Sequence, residues 1–305
     1  MIKNNKLYKI ALLSLLTIAQ SALASPTLER IRKTNTIRLG YSETVIPISW
    51  YDQTTKSPKG FGFEISQHIV EGLKESLKLP DLKIQYVPVP SKERWNMHAN
   101  GDIDLHCSVT TNTLERQEQL VEFSYGYFVA HARMLVKKGS GIHNYSDLAG
   151  KNVALINGSF SGKFLQSKKN NFKIKELKII NNGLKEGFEL LKTGEVAGLV
   201  YDDISLISFL LRHPDDQPNF EVVGKPITTE NYGCTMQHGD KVFKQMVNHE
   251  LAKMIHSQSV HKLYQKWFLQ PIPDVGLTVG IPMSDATEKL LIMPNDKAVG
   301  QLQVE

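Results

Sequence analysis

Asp104-Leu-His-Cys-Ser-Val-Thr-Thr-Asn-Thr-Leu-Glu-Arg116 passes from a short apolar strand into a Thr/Asn-rich turn and then into a helix. Asn112, with Glu115 three residues on, fits a capping box. The turn then offers free backbone N–H groups at the positive end of a helix dipole, with Arg116 one turn inside. That combination suits a small anion such as the carboxylate of an amino acid. In many βα turns the same pattern only ends a strand, and that reading stays open at this point.

On either side the chain alternates strand and helix. The spacing predicts a strand over 36–40, an amphipathic helix over 63–79 ending before Pro80, and a strand over 83–89. A helix over 92–99 closes at Asn100-Gly101, and a strand covers 103–107. The pattern then recurs: a strand over 151–156, a turn over 157–162, a helix from Lys163, a strand over 175–180, a helix over 184–192 and a strand over 196–200. A further strand over 233–236 and one long helix over 241–268 follow, and the Pro-punctuated stretch 270–305 reads as an extended tail. The class is α/β, with two mostly parallel sheets covered by helices and a cleft between two lobes. Ligands of such sheets bind beyond the carboxyl ends of strands, so both turns should face the cleft.

The first residues carry an address. Lys3, Lys6 and Lys9 precede an apolar run ending Ala22-Leu23-Ala24, the form of a secretory signal peptide over 1–24. The run is short for a membrane span, and no Cys follows the cleavage site, so lipid anchoring is not expected. Of the formal net charge of +5, three units belong to those lysines, which leaves the remainder nearly balanced. Lysines occur in scattered pairs, such as Lys137-Lys138, without interleaved aromatics, and a nucleic-acid surface is not supported. Cys107 and Cys234 are the two cysteines, and export favours a disulfide between them over two buried thiols. His249, His256 and His261 lack the spacing and the carboxylate of a zinc site, so no metal is expected. No HExxH, P-loop or GxSxG motif occurs, and no cofactor or catalytic residue is assigned.

Two more features sit at strand ends. Asn157-Gly-Ser-Phe-Ser-Gly162 holds a ligand carboxylate or caps a helix, and Asp202, after Leu199-Val200-Tyr201, pairs with an ammonium or caps a helix. One basic group, one acidic group and several hydroxyls at sheet ends of two lobes are what a free amino acid requires.

With these pieces in order, the mature chain resembles the periplasmic solute-binding proteins of polar amino acid ABC transporters. The residues that carry the likeness are Lys59-Gly-Phe61, Thr111 to Arg116, Asp147-Leu-Ala-Gly-Lys151, Tyr201-Asp202, Tyr232-Gly233 and Lys266-Trp-Phe268. The glutamate/aspartate-binding subgroup shares in addition Pro80-Asp-Leu82, Ser91 with Arg94, Cys107, Thr110-Thr-Asn112, Val223-Gly-Lys-Pro226, Cys234 and Pro294-Asn-Asp-Lys297. The resemblance implies the two-lobed Venus-flytrap fold, with lobe 1 formed by 25–128 and 231–305 and lobe 2 by 129–230. It implies that Arg116, Thr111 and the backbone at Val109 hold the α-carboxylate, that Asp202 pairs with the α-ammonium, and that Ser159 reaches the ligand from lobe 2. Ser91 and Arg94 would face the ligand's side chain. Two departures stand out: Ser42, expected among the ligand-binding residues, replaces an Arg of the subgroup, and Asn181-Asn-Gly-Leu184 replaces a His-bearing turn. A neutral polar or larger amino acid, or a derivative, therefore competes with an acidic one.

The expected protein is a monomeric, non-enzymatic periplasmic receptor that hands an amino acid to an inner-membrane permease driven by an ATPase. The rivals are a dehydratase-like enzyme on the same fold, with Glu43 as its acid or base, and a sensing module for a signalling partner.

Overall fold

The computed structural model describes residues 25–273 and 275–299, so the expected signal peptide lies outside the described residues. Helix α1 (Pro26–Thr34) starts at Ser25, whose hydroxyl accepts the Leu28 N–H. Strand β1 (Thr36–Tyr41) follows, with Ile37 and Leu39 fully buried as alternation requires. A small antiparallel sheet comes next, built from β2 (Thr44–Val45), β3 (Ser49–Asp52) and β4 (Ser57–Lys59). Gly60 turns the chain into α2 (Phe61–Leu77) at φ 127°, where a Cβ would stand 2.4 Å from the Ile48 carbonyl oxygen. Helix α2 buries Phe61, Ile65, Ile69 and Leu73 along one face. Then come β5 (Lys83–Pro88), α3 (Arg94–Ala99), β6 (Leu105–His106), α4 (Leu114–Gln119) and the long β7 (Val121–Ala130).

After His131, strand β8 (Ala132–Lys137) joins a second sheet. It is completed by β9 (Asn152–Ile156), α5 (Phe160–Ser167), β10 (Glu176–Ile180), α6 (Leu184–Thr193), β11 (Gly198–Asp202), α7 (Asp203–Leu211) and β12 (Phe220–Val223). Strand β13 (Glu230–Gln237) returns to the first sheet. Helices α8 (Lys241–His256), α9 (Ser259–Tyr264) and α10 (Asp285–Ile292) follow, with α8 against α2.

The strand orders are β5-β1-β6-β13-β7 and β10-β9-β11-β8-β12. Only β5-β1-β6 and β10-β9-β11 are parallel; β13, β7, β8 and β12 pair antiparallel. The sheets are therefore mixed, not mostly parallel. The antiparallel strands are the ones that lead into and out of the two crossings between sheets. One core lies in the first lobe, where Phe61, Phe128, Tyr232, Tyr264 and Phe268 form an aromatic group. The second sheet is covered on both faces, by a cluster around Phe188, Phe209 and Phe220 and by another around Met134, Tyr145 and Val200.

Local signals mislead in four places. The cap of α4 is Thr113, whose hydroxyl accepts the Arg116 N–H, while the Asn112 side chain turns to the Asp296 carbonyl and to Gln117. Helix α5 starts at Phe160, three residues earlier than expected, because Ser159 caps it. The helix expected over 241–268 breaks at Gln258, which is left-handed with φ 60°. Past the break Trp267 is buried edge-on to Trp50 at 5.2 Å and donates from Nε1 to Glu64 at 3.0 Å, so tertiary anchoring overrides local helix propensity. The tail is not wholly extended: Ser284 caps α10, and the residues after it run beside α4, with Val299 N–H donating to the Asn112 carbonyl at 2.8 Å.

Cys107 and Cys234 form a disulfide that joins positions 127 residues apart, tying the end of β6 to β13. On the chain-entropy model a loop of that length is worth about 4–5 kcal/mol. Urea denaturation with and without reductant should show a loss of that order, matched by the Cys107→Ser/Cys234→Ser variant.

Candidate ligand-binding cleft

A cavity of about 540 Å³ opens where the carboxyl ends of the parallel strands of both sheets face each other. From the first lobe, α3 contributes Arg94 and Trp95, the turn after β6 contributes Val109 and Thr111, and α4 contributes Arg116. From the second lobe come Ser159 and Phe160 after β9, Asn181 and Asn182 after β10, and Tyr201, Asp202 and Ser205 at and beyond the end of β11.

The basic wall is built on Trp95. The Arg94 guanidinium carbon lies 4.7 Å from its ring centroid and that of Arg116 5.3 Å, so one indole supports two cations. Arg94 donates from Nε to the Ser91 carbonyl at 3.1 Å and from Nη1 to Thr110 Oγ1 at 3.3 Å. Arg116 donates to the Thr111 carbonyl at 2.7 Å and, across the cleft, to the Gly158 carbonyl at 3.4 Å. Among the described residues no carboxylate forms an ion pair with either guanidinium. Burial, with Arg116 close by, pushes Arg94 down to about 10. Lys92, Lys185 and Arg212 add positive charge to the same lining, and Asp202 is the one acid in it.

Asp202 opens α7 without capping it. Its carboxylate is buried and accepts from Ser161 Oγ at 3.1 Å and from the Tyr232 hydroxyl, a short hydrogen bond. Burial pushes its pKa up, and the Tyr232 and Ser161 hydroxyls act against the rise. Held by hydroxyls alone, the carboxyl group has no protein cation to give up when a cation enters the cleft.

The structure thus brings Arg116, Thr111, Val109, Asp202, Ser159, Ser91 and Arg94 to one cavity. Ser42 is not among the lining residues; its hydroxyl lies 2.7 Å from Ser108 Oγ and 3.3 Å from His106 Nε2. Glu43 is absent from the lining as well. The Ser159 hydroxyl accepts the Gly162 N–H at 2.9 Å and donates to the Ile156 carbonyl at 2.7 Å, which commits it to capping α5. Trp95 and Ser205 were missed. Trp95 could have been read from its place beside Arg94; Ser205, buried with no hydrogen-bond partner for its hydroxyl, has no signature in sequence. Across the mouth, Lys163 of α5 meets Glu115 of α4 at 2.7 Å, both exposed. Among the described residues, no group of three or more His, Cys, Asp or Glu could hold a metal, and no helix is long and apolar enough to cross a membrane.

Two lobes that meet over a charged crevice define a ligand-binding protein of the Venus-flytrap class. Residues 37–270 match the model of the bacterial extracellular solute-binding proteins, family 3, and the chain belongs to that family. An L-glutamate/L-aspartate-binding protein of Pseudomonas aeruginosa is 37% identical over 278 residues, covering 90% of this chain and 91% of its own. A glutamate/aspartate import solute-binding protein of Escherichia coli strain K12 is 34% identical, over 92% of this chain and 94% of its own. Among solved structures, an ancestral arginine-binding protein bound to arginine superposes with a TM-score of 0.63 at 27% identity, covering 77% of this chain and 98% of that one. These relatives are named as binding proteins, not enzymes.

If Ser159 serves chiefly as a cap, Ser159→Ala should cost about 1 kcal/mol of stability in urea denaturation. Ligand affinity measured by calorimetry should then change far less than for Arg116→Ala.

Proposed function

We propose that the chain is the periplasmic substrate-binding protein of an amino acid ABC transporter and that it selects an acidic amino acid. The observation that carries this reading is the pair of guanidiniums, Arg94 and Arg116, without protein carboxylates, facing a cleft whose one acid is Asp202. A ligand with two carboxylates and one ammonium neutralises that arrangement. Arg116, Thr111 and the backbone at Val109 take the α-carboxylate, Asp202 the ammonium, and Arg94 with Ser91 the second carboxylate. The names of the Pseudomonas and Escherichia relatives support the same class.

Lobe 1 carries the first sheet and lobe 2 the second, and each supplies part of the site. Bound ligand therefore favours the closed form over the open one. The closed, monomeric receptor passes its cargo to an inner-membrane permease driven by an ATPase.

A thermal-shift screen over the common amino acids tests the assignment. L-Glutamate and L-aspartate should stabilise the fold, by about 2.7 kcal/mol at a hundred times the dissociation constant. L-Glutamine and L-lysine should act far less, because an uncharged or cationic side chain leaves Arg94 unpaired at a cost of about 2–5 kcal/mol. Arg94→Met should remove most of the preference for glutamate over glutamine, and Arg116→Ala should abolish binding of both. A screen without any shift overturns the amino-acid reading.

A further inference from the structure

Glu230, the first residue of β13, is fully buried, and its carboxyl group touches two hydroxyls. Thr228 Oγ1 lies 2.8 Å from Oε1 and Thr111 Oγ1 lies 2.7 Å from Oε2. Thr228 Oγ1 also accepts the Ala132 N–H at 3.0 Å, and the Thr228 carbonyl lies 3.1 Å from His131 Nδ1. One carboxyl group thus joins both crossings between the sheets to a wall of the cleft. Among the described residues no cation forms an ion pair with it.

The titratable groups around Glu230 are Asp202 and Tyr201 on β11, Tyr232 on β13, Tyr145 in the second lobe and Arg116 on α4. His131 and Asp203 complete the neighbourhood, with Asp203 accepting the His131 N–H at 3.2 Å. Burial above all, and then the charge of Asp202, pushes Glu230 up to about 8, against the hydroxyls of Thr111 and Thr228 and the charge of Arg116.

A threonine hydroxyl has one hydrogen to give, and an ionised carboxylate only accepts. With Glu230 ionised, Thr111 donates to it and offers the cleft lone pairs alone, where a ligand carboxylate requires donors. With Glu230 protonated, the acid donates to Thr111 Oγ1 and the threonine's own hydrogen turns to the ligand.

We propose that Glu230 is a positioning residue for the ligand's α-carboxylate: held neutral, it makes the Thr111 hydroxyl a donor toward the cleft. This rests on the reading of Thr111 and Arg116 as the α-carboxylate site. Ligand binding then favours the protonated acid. Affinity is full below the pKa of Glu230 and declines as pH rises through it.

The test is calorimetry with L-glutamate from pH 7 to pH 9 on the wild type, Glu230→Gln and Thr111→Val. Wild-type affinity should fall on the order of tenfold across that window. Glu230→Gln, whose amide donates to Thr111 and accepts from Thr228, should give a flat profile. Thr111→Val should bind more weakly, also with a flat profile. Comparison across variants separates Glu230 from the ligand's ammonium and from Asp202. If Glu230→Gln does not fold, Thr111→Val carries the same comparison. If L-glutamate does not bind, the acidic-ligand reading fails, and L-glutamine, with the same α-carboxylate, serves as probe. Infrared spectroscopy of the ligand-free protein should show a protonated-carboxyl stretch at pH 7 that is lost above pH 9 and missing from Glu230→Gln. A flat wild-type profile, an unchanged slope in either variant, or absence of that band overturns the proposal.

Discussion

Asp202 sits in the cleft with hydroxyls for partners, one from α5 and one from β13, and much else follows from that arrangement. A buried carboxylate normally acquires a cation, since desolvation of a bare charge is expensive. Had the protein supplied one, an entering ammonium would have to displace it. Two hydroxyls orient the acid without neutralising it. Because Ser161 belongs to the second lobe and Tyr232 to the first, the acid also pulls the two halves together. The opposite wall obeys the same logic with the sign reversed, as Trp95 faces and carbonyls steady Arg94 and Arg116 while both positive charges stay uncompensated.

Much of this was legible in the residues because it depends on short-range order. Strand, turn and helix alternate with clear periods along the regions that became β1, α2 to α4 and β9 to β11, whereas the short strands β2 to β4 went unread; Arg116 follows the turn after β6, and Asp202 ends β11. The long strands β7 and β8 were unread, since their continuous burial removes the alternation that marks a half-exposed strand. The cap of α4 was misplaced by one residue. Asn112 and Thr113 are both competent caps, and what decides between them is the Asp296 carbonyl, which claims the asparagine from far along the chain. The break at Gln258 has the same origin, since no Pro or Gly marks it and the deciding contacts are Trp267 with Trp50 and Glu64. Glu230 was invisible for that reason too: its meaning comes from Thr111, 119 positions away.

The segment after α10 closes the account of the site. The Asp296 carbonyl accepts from Asn112 and Gln117, and the Val299 N–H donates to the Asn112 carbonyl, so this stretch braces both flanks of the short helix that carries Arg116. A six-residue helix has little stability of its own. Those contacts hold the helix from which the Arg116 guanidinium reaches the cleft. The ligand wall is therefore finished from a distance, and it can be set only after the chain has been made at least as far as Val299.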